Sequence, residues 1–394
     1  MPRISRRVAA IAESATMAIT EKARQLKQAG RPVISFGAGE PDFPTPPHIV
    51  EAAIAAARDS RNHHYTPNAG LPELREAIAA NVADMSGVEV SPGQVLVTNG
   101  GKQAVYLGLA ALLDPGDEVL IPAPYWVTYP EAAALSGGRP VPIPTRAESG
   151  FKVTVADLEA AASERTKILV FVSPSNPTGT VYSPEEVAEI GRWAGERGLF
   201  ILTDEIYQQL VYPEGPAPSI AAVGDAGDRV VIVNGVAKTY AMTGWRVGWL
   251  VGPPDVFKAA NNHQSHLSSN VNNIAQRAAQ AALTGPTDSI VAMREAFDRR
   301  RNRMIALLAE MPGVTLVPPE GAFYTFPGLG PHIERFGSSL EVASYLLDAA
   351  DVAVVPGEAF GAPGFVRLSY ALGEDDLETG LGRMAEALSA LQVA

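Results

Sequence analysis

Short, β-branched apolar runs that recur between amphipathic segments constrain this chain more than any other feature. The runs are Gln94–Thr98, Glu118–Ile121, Lys167–Val172, Leu199–Thr203, Arg229–Val233 and Gly248–Val251. They are apolar almost throughout, as strands buried on both faces are. Helix-like segments such as Gly101–Leu113 and Pro184–Arg197 lie between them. Strand–helix alternation predicts an α/β fold, a mainly parallel sheet with helices on both faces. After about residue 290 the texture changes. A charged helix (Met293–Met311) leads to short strands near Phe323–Phe326, Val352–Val355 and Phe365–Ser369, with a final helix from Glu374. The first thirty residues have a helical pattern that breaks at Gly30. A chain of 394 residues exceeds one compact core, so two domains are expected. The larger spans residues 48–290, and a smaller α+β domain with an N-terminal arm combines 1–47 and 291–394.

Composition narrows the function. The net charge of −12 disfavours a nucleic-acid partner, because neutralising phosphates needs clustered Lys and Arg. It leaves room for an anionic substrate, which answers to local charge. With no cysteine, disulfides, thiolate metal sites and a Cys nucleophile are excluded. No signal peptide is visible and no apolar segment approaches ~18 residues, so no membrane partner and a cytoplasmic location are expected. His263 and His266 stand three apart without a third ligand, so no metal is expected.

In open α/β sheets ligands bind beyond the carboxyl ends of the strands. Reading past each run gives Asn99-Gly-Gly-Lys102, Pro122-Ala-Pro-Tyr-Trp126, Ser173-Pro-Ser-Asn-Pro-Thr-Gly179, Asp204-Glu-Ile-Tyr207 and Asn234-Gly-Val-Ala-Lys238, then Arg246. Each has a bland reading alone. Gly100-Gly101 could be only a tight turn, Trp126 core, Asn176-Pro177 a turn, Asp204 a helix N-cap and Lys238 a surface lysine. Their convergence at consecutive strand ends favours a site. Competing motifs fail: Gly101-Lys102 is followed by Gln103, which is no P-loop, and Gly37-Ala-Gly39 lacks the third glycine of a dinucleotide fingerprint. No G-x-S-x-G elbow is present.

Together these segments, with Gly37-Ala-Gly-Glu-Pro-Asp-Phe43, Asn234–Arg246 and Arg367-Leu-Ser-Tyr370, resemble the class I, fold-type I aminotransferases that use pyridoxal 5′-phosphate. The resemblance runs over nearly the whole chain and is nearest the bacterial aspartate aminotransferase branch. It implies a seven-stranded, mainly parallel sheet and a homodimer with shared active sites. It also implies ping-pong transfer of the amino group of L-aspartate to 2-oxoglutarate, giving oxaloacetate and L-glutamate.

The resemblance also implies roles. Lys238 would hold the cofactor as a Schiff base and then shuttle a proton at the substrate's Cα. Asp204 would pair with the pyridinium nitrogen. Tyr207 and Asn176 would bond the phenolic oxygen. Trp126 would stack on the ring, with Tyr125 as its one-residue alternative. The N–H groups of Gly101 and Lys102, with Arg246, would bind the phosphate at a helix N-terminus. Tyr65 would reach the phosphate of a neighbouring subunit. Arg367 would grip the α-carboxylate, helped by Asn176 and Gly39. Lys102 would meet the distal carboxylate. Gly235 replaces a serine that contacts phosphate in many relatives. Ala12 stands where prephenate-active relatives carry lysine, which argues against prephenate. His263–Asn273 departs from the branch pattern. An aromatic, alanine or kynurenine aminotransferase and a lyase on the same fold remain alternatives. So does a cofactor-sensing regulator, which would need a DNA-binding domain for which the first residues leave no room.

Overall fold

A computed structural model describes residues 3–11, 15–212, 215–224 and 226–390. Seven strands form one sheet: β1 (Val95–Thr98), β2 (Glu118–Ala123), β3 (Arg139–Pro144), β4 (Thr166–Val172), β5 (Phe200–Asp204), β6 (Val230–Gly235) and β7 (Gly248–Val251). Their spatial order is β1-β7-β6-β5-β4-β2-β3. β7 runs antiparallel to both its neighbours, and every other pair is parallel. β1, β7 and the middle of β4, β5 and β6 are buried on both faces, which explains their unbroken apolar runs.

The sequence runs identify six of these strands; β3 was not among them. Its sequence, Arg139-Pro-Val-Pro-Ile-Pro144, has a proline at every second position. Backbone N–H groups in a strand alternate in direction, and the odd-numbered ones face the sheet: Arg139 donates to Asp117 O at 2.7 Å and Thr145 to Ala123 O at 3.0 Å. The prolines therefore stand where an edge strand has no partner for a donor. They weaken the sequence signal while blunting the sheet edge.

Helices cover both faces. Pro184–Glu196 begins at a capping box, in which Ser183 and Glu186 exchange side-chain bonds with each other's backbone N–H. Gly101–Leu112 packs Val105, Leu107 and Leu109 against β1, β5, β6 and β7.

The rest of the chain builds a second core. A three-stranded antiparallel sheet has Val366–Ser369 between Val355–Pro356 and Tyr324–Thr325. Ile34–Ser35 pairs in parallel with Val352–Ala353. Ser369 N donates to Phe36 O at 2.8 Å, so the segment after Ile34–Ser35 lies beside the strand that carries Arg367. The helices Asp288–Ala309, Ser339–Ala350 and Glu374–Ala390 cover these strands. The charged helix expected from Met293 begins earlier, at Asp288. The N-terminal helix Ala15–Gln28 places Ala23 against Leu347 and Ala353. Ala12 lies outside the described residues.

Candidate active site

The parallel strands end at one edge of the sheet, and antiparallel β7 begins there. Arg246, two residues before β7, therefore joins residues that follow β1, β2, β4, β5 and β6. Gly39, Gly101, Lys102, Trp126, Asn176, Asp204, Tyr207, Lys238, Arg246 and Arg367 all line one cavity of about 640 Å³ at this edge. Of the site residues expected from sequence, only Tyr65 lies elsewhere. It is 89% exposed, so its side chain is free to reach another molecule.

Three glycines let the backbone close up here. A Cβ on Gly248 would lie 2.5 Å from Gly101 N, and one on Gly235 would lie 2.9 Å from Gly248 Cα. Gly100, at φ +81°, would drive a Cβ to 2.6 Å from the Arg246 guanidinium. The turn after β1 thus rests directly on β6 and β7, with Arg246 against it. At Gly235, where many relatives carry serine, a Cβ would press on Gly248 Cα and the Val247 carbonyl, both at 2.9 Å. The first N–H groups of a helix have no intrahelical partners, and at the helix that opens at Gly101 no side-chain cap satisfies them, an arrangement that suits an anion. Among the described residues Arg246 bonds two carbonyls, Thr243 O at 3.0 Å and Asn99 O at 3.4 Å.

Lys238 donates to Gly39 O. Burial brings its amine down to about 8, with Arg367 and Arg246 pushing the same way and Glu40 and Asp204 opposing. It is thus a lysine about one-tenth neutral at pH 7, far more than an ordinary lysine. Burial raises the Asp204 carboxyl to about 6, while bonds from Tyr129 and the Ile206 N–H partly offset the loss of water. Tyr129 Oη donates to Asp204 at 2.9 Å and Ile206 N at 3.2 Å. Asp204 forms no ion pair among the described residues, with Lys238 the cation that acts on it, and is suited to a cationic ligand group. Tyr207 is buried, its hydroxyl 2.9 Å from that of Tyr324.

Arg367 is 2% exposed, yet it has no carboxylate partner among the described residues. It donates to Asn176 Oδ1 at 3.0 Å and Gly37 O at 2.9 Å, and its Nε is buried without a partner. Its guanidinium lies 4.4 Å from the centre of the Tyr324 ring. A buried guanidinium without a counter-ion is costly and is relieved by an anionic ligand. The Lys102 ammonium lies 5.0 Å from the Trp126 ring centre. Burial and Arg246 lower its pKa. Tyr125 does not line the cavity; its ring packs under Gly361.

Sequence reasoning missed Tyr129 and Tyr324, and gave no role to Glu40 or Thr243, which bond each other at 2.6 Å. Tyr129 stands one helical turn beyond Trp126, a spacing that could have shown it. Tyr324 had no such signal. Within His263–Asn273, Asn273 bonds the carbonyls of Asn62 and His64, holding the loop that carries Tyr65.

The Aminotransferase class I and II profile matches residues 31–384. An aspartate aminotransferase of Streptomyces avermitilis is 57% identical, over 98% of this chain and 97% of its own. One from Bacillus subtilis is 44% identical, over 97% of this chain and 98% of its own. The Thermus thermophilus aspartate aminotransferase, solved with maleate, superposes with a TM-score of 0.93 at 41% identity, covering 98% of this chain and 100% of that one. With a cavity built at the strand ends and a family match over nearly its whole length, the chain belongs to the class I and II aminotransferases.

Proposed function

We propose that the protein transfers the amino group of L-aspartate to 2-oxoglutarate, with pyridoxal 5′-phosphate held by Lys238. The observation that carries this reading is a concentration of unpaired cations. Lys102, Lys238, Arg246 and Arg367 line one cavity of a chain whose net charge is −12, and none forms an ion pair among the described residues. A phosphate and two carboxylates supply the anions such a site calls for.

The donor set suits the cofactor. The uncapped Gly101 turn and Arg246 would hold its phosphate, Asp204 its ring nitrogen, Tyr207 and Asn176 its phenolic oxygen, and Trp126 its ring face. The chemistry that pyridoxal phosphate supplies when bound is an aldehyde for the amino group and a ring that accepts the electron pair left at Cα. Lys238 Nζ is free to take and return a proton at the substrate's Cα, because its amine is half neutral near pH 8. Arg367 orients the α-carboxylate, with Asn176 and Gly39 beside it. Lys102 receives the distal carboxylate, and the relatives named as aspartate aminotransferases support that choice. The Thermus protein's ligand, maleate, is a dicarboxylate of the same span.

The protein acts as a homodimer in the cytoplasm, and Tyr65 reaches the partner's phosphate site. Its extreme exposure supports this. No helix among the described residues is long and apolar enough to cross a membrane. Residues 48–290 form the cofactor domain, and 1–47 with 291–394 form the domain that brings Arg367.

A panel of amino donors with 2-oxoglutarate tests the reading. Aspartate should be turned over at a kcat/KM at least about 10-fold above alanine, phenylalanine and kynurenine, the value of one buried charge contact. Equal rates for all, or ammonia released without an oxo acid, would remove it.

A further inference from the structure

The groups that would read the substrate's α-carboxylate and those that would tune the cofactor meet at one side chain, Tyr324. It is fully buried on the strand Tyr324–Thr325, and it comes from the second core, not from the seven-stranded sheet. Its ring centre lies 4.4 Å from the Arg367 guanidinium carbon, and the Phe360 ring centre lies 5.3 Å from the same carbon. Its hydroxyl is 2.9 Å from that of Tyr207, and a Cβ on Gly39 would be 3.8 Å from it. Arg367 is also held by Asn176, the Gly37 carbonyl and the neighbouring strands, which fix its position in the plane of its hydrogen bonds. Tilt of the guanidinium plane is limited by aromatic faces, and of the two against Arg367 the Tyr324 ring lies nearer, at 4.4 Å against 5.3 Å for Phe360.

We propose that Tyr324 is a positioning residue with two separable parts: its ring sets the plane of Arg367, and its hydroxyl donates to Tyr207 so that the Tyr207 hydrogen turns toward the cavity. The first part rests on Arg367 as the α-carboxylate site proposed above; the second needs only the cofactor. Two hydroxyls that share one hydrogen bond leave one hydrogen free to donate elsewhere. When Tyr324 donates, Tyr207 keeps its own hydrogen for a ligand oxygen and is polarised into a stronger donor. The charged and titratable groups around the pair are Arg367 and Asp204 toward Tyr207, and Arg367 and Glu40 toward Tyr324. Burial dominates the rise of both phenols, so both stay protonated donors through the neutral range.

Two substitutions in the full, cofactor-loaded protein separate the parts. Tyr324→Phe keeps the ring and removes the hydroxyl. The pH midpoint of the cofactor's visible absorption band should move up by about half a unit or more, the worth of one neutral hydrogen bond. Maleate affinity, read by calorimetry, should stay within about 2-fold, because the aromatic face remains. Tyr324→Leu removes the face, and maleate should bind about 10-fold more weakly or worse, the scale of one desolvated cation–π contact. An unmoved midpoint in Tyr324→Phe overturns the hydroxyl part. Maleate binding as tight in Tyr324→Leu as in Tyr324→Phe overturns the ring part. If the leucine variant does not fold, Tyr324→Met is read in its place. A wild-type protein with a pH-dependent band but no affinity for maleate would sink the dicarboxylate reading instead, and the midpoint of Tyr324→Phe would still decide the role of the hydroxyl.

Discussion

Lys238 and Asp204 have their ionisation set by the same cause, loss of water, with opposite consequences. The lysine is driven toward its neutral form and the carboxyl toward its protonated form. For Lys238 the consequence is kinetic. Only the neutral amine attacks an aldehyde, so loading of cofactor-free protein should speed up with pH and level off above about 8, followed by growth of the visible band. A flat profile from pH 6 to 9 would contradict an amine tuned by burial. In the proposed reading Lys102 would carry the substrate preference. Lys102→Ala should reduce kcat/KM for aspartate by about 10-fold to 100-fold and leave alanine nearly unchanged, as loss of one charge-assisted contact requires. An equal loss for both donors would remove its assignment. The strand-end side chains were legible because each follows directly on an apolar run. Tyr129 and Tyr324 were not, since their contacts to Asp204 and Arg367 arise from packing between segments 75 and 43 residues apart.

Among the elements, the antiparallel entry of β7 decides how the Gly101 end of the cavity is built. It brings Arg246 to the edge and lays Gly248 under the Gly101 turn. Gly248→Ala would push a methyl group onto Gly101 N and Gly100 C, at 2.5 and 2.6 Å. The expected cost is about 1–3 kcal/mol of stability, as for other overpacked sites, with weaker retention of pyridoxal phosphate on dialysis. Unchanged melting and retention would show that the turn does not need this close approach. Strands with continuous apolar sequence were read from the chain to within two residues of their observed ends. β3 was invisible because its alternating prolines look like a loop, and only its pairing with β2 reveals that the missing donors face outward.

At the level of the whole molecule, the cavity is closed by two cores. The seven-stranded sheet supplies Lys102, Asn176, Asp204, Lys238 and Arg246, while the second core supplies Arg367 and Tyr324. That second core was legible as a change of texture, but its strands of two to four residues gave no hint of which side chains they aim at the cavity. A dimer with shared sites makes a further claim about Tyr65. Mixing inactive Tyr65→Ala and Lys238→Ala proteins should restore activity to about a quarter of the wild-type sites, because each mixed dimer regains one intact site. No recovery after subunit exchange would show that Tyr65 does not serve the partner's site. The central claim is amino-group transfer through a cofactor held at Lys238, and a single turnover tests it most directly. Cofactor-loaded protein mixed with L-aspartate and no oxo acid should lose its visible band and release about one oxaloacetate per protomer without ammonia, and 2-oxoglutarate should then restore the band and yield glutamate. Release of ammonia, or a band that aspartate leaves unchanged, would contradict the account.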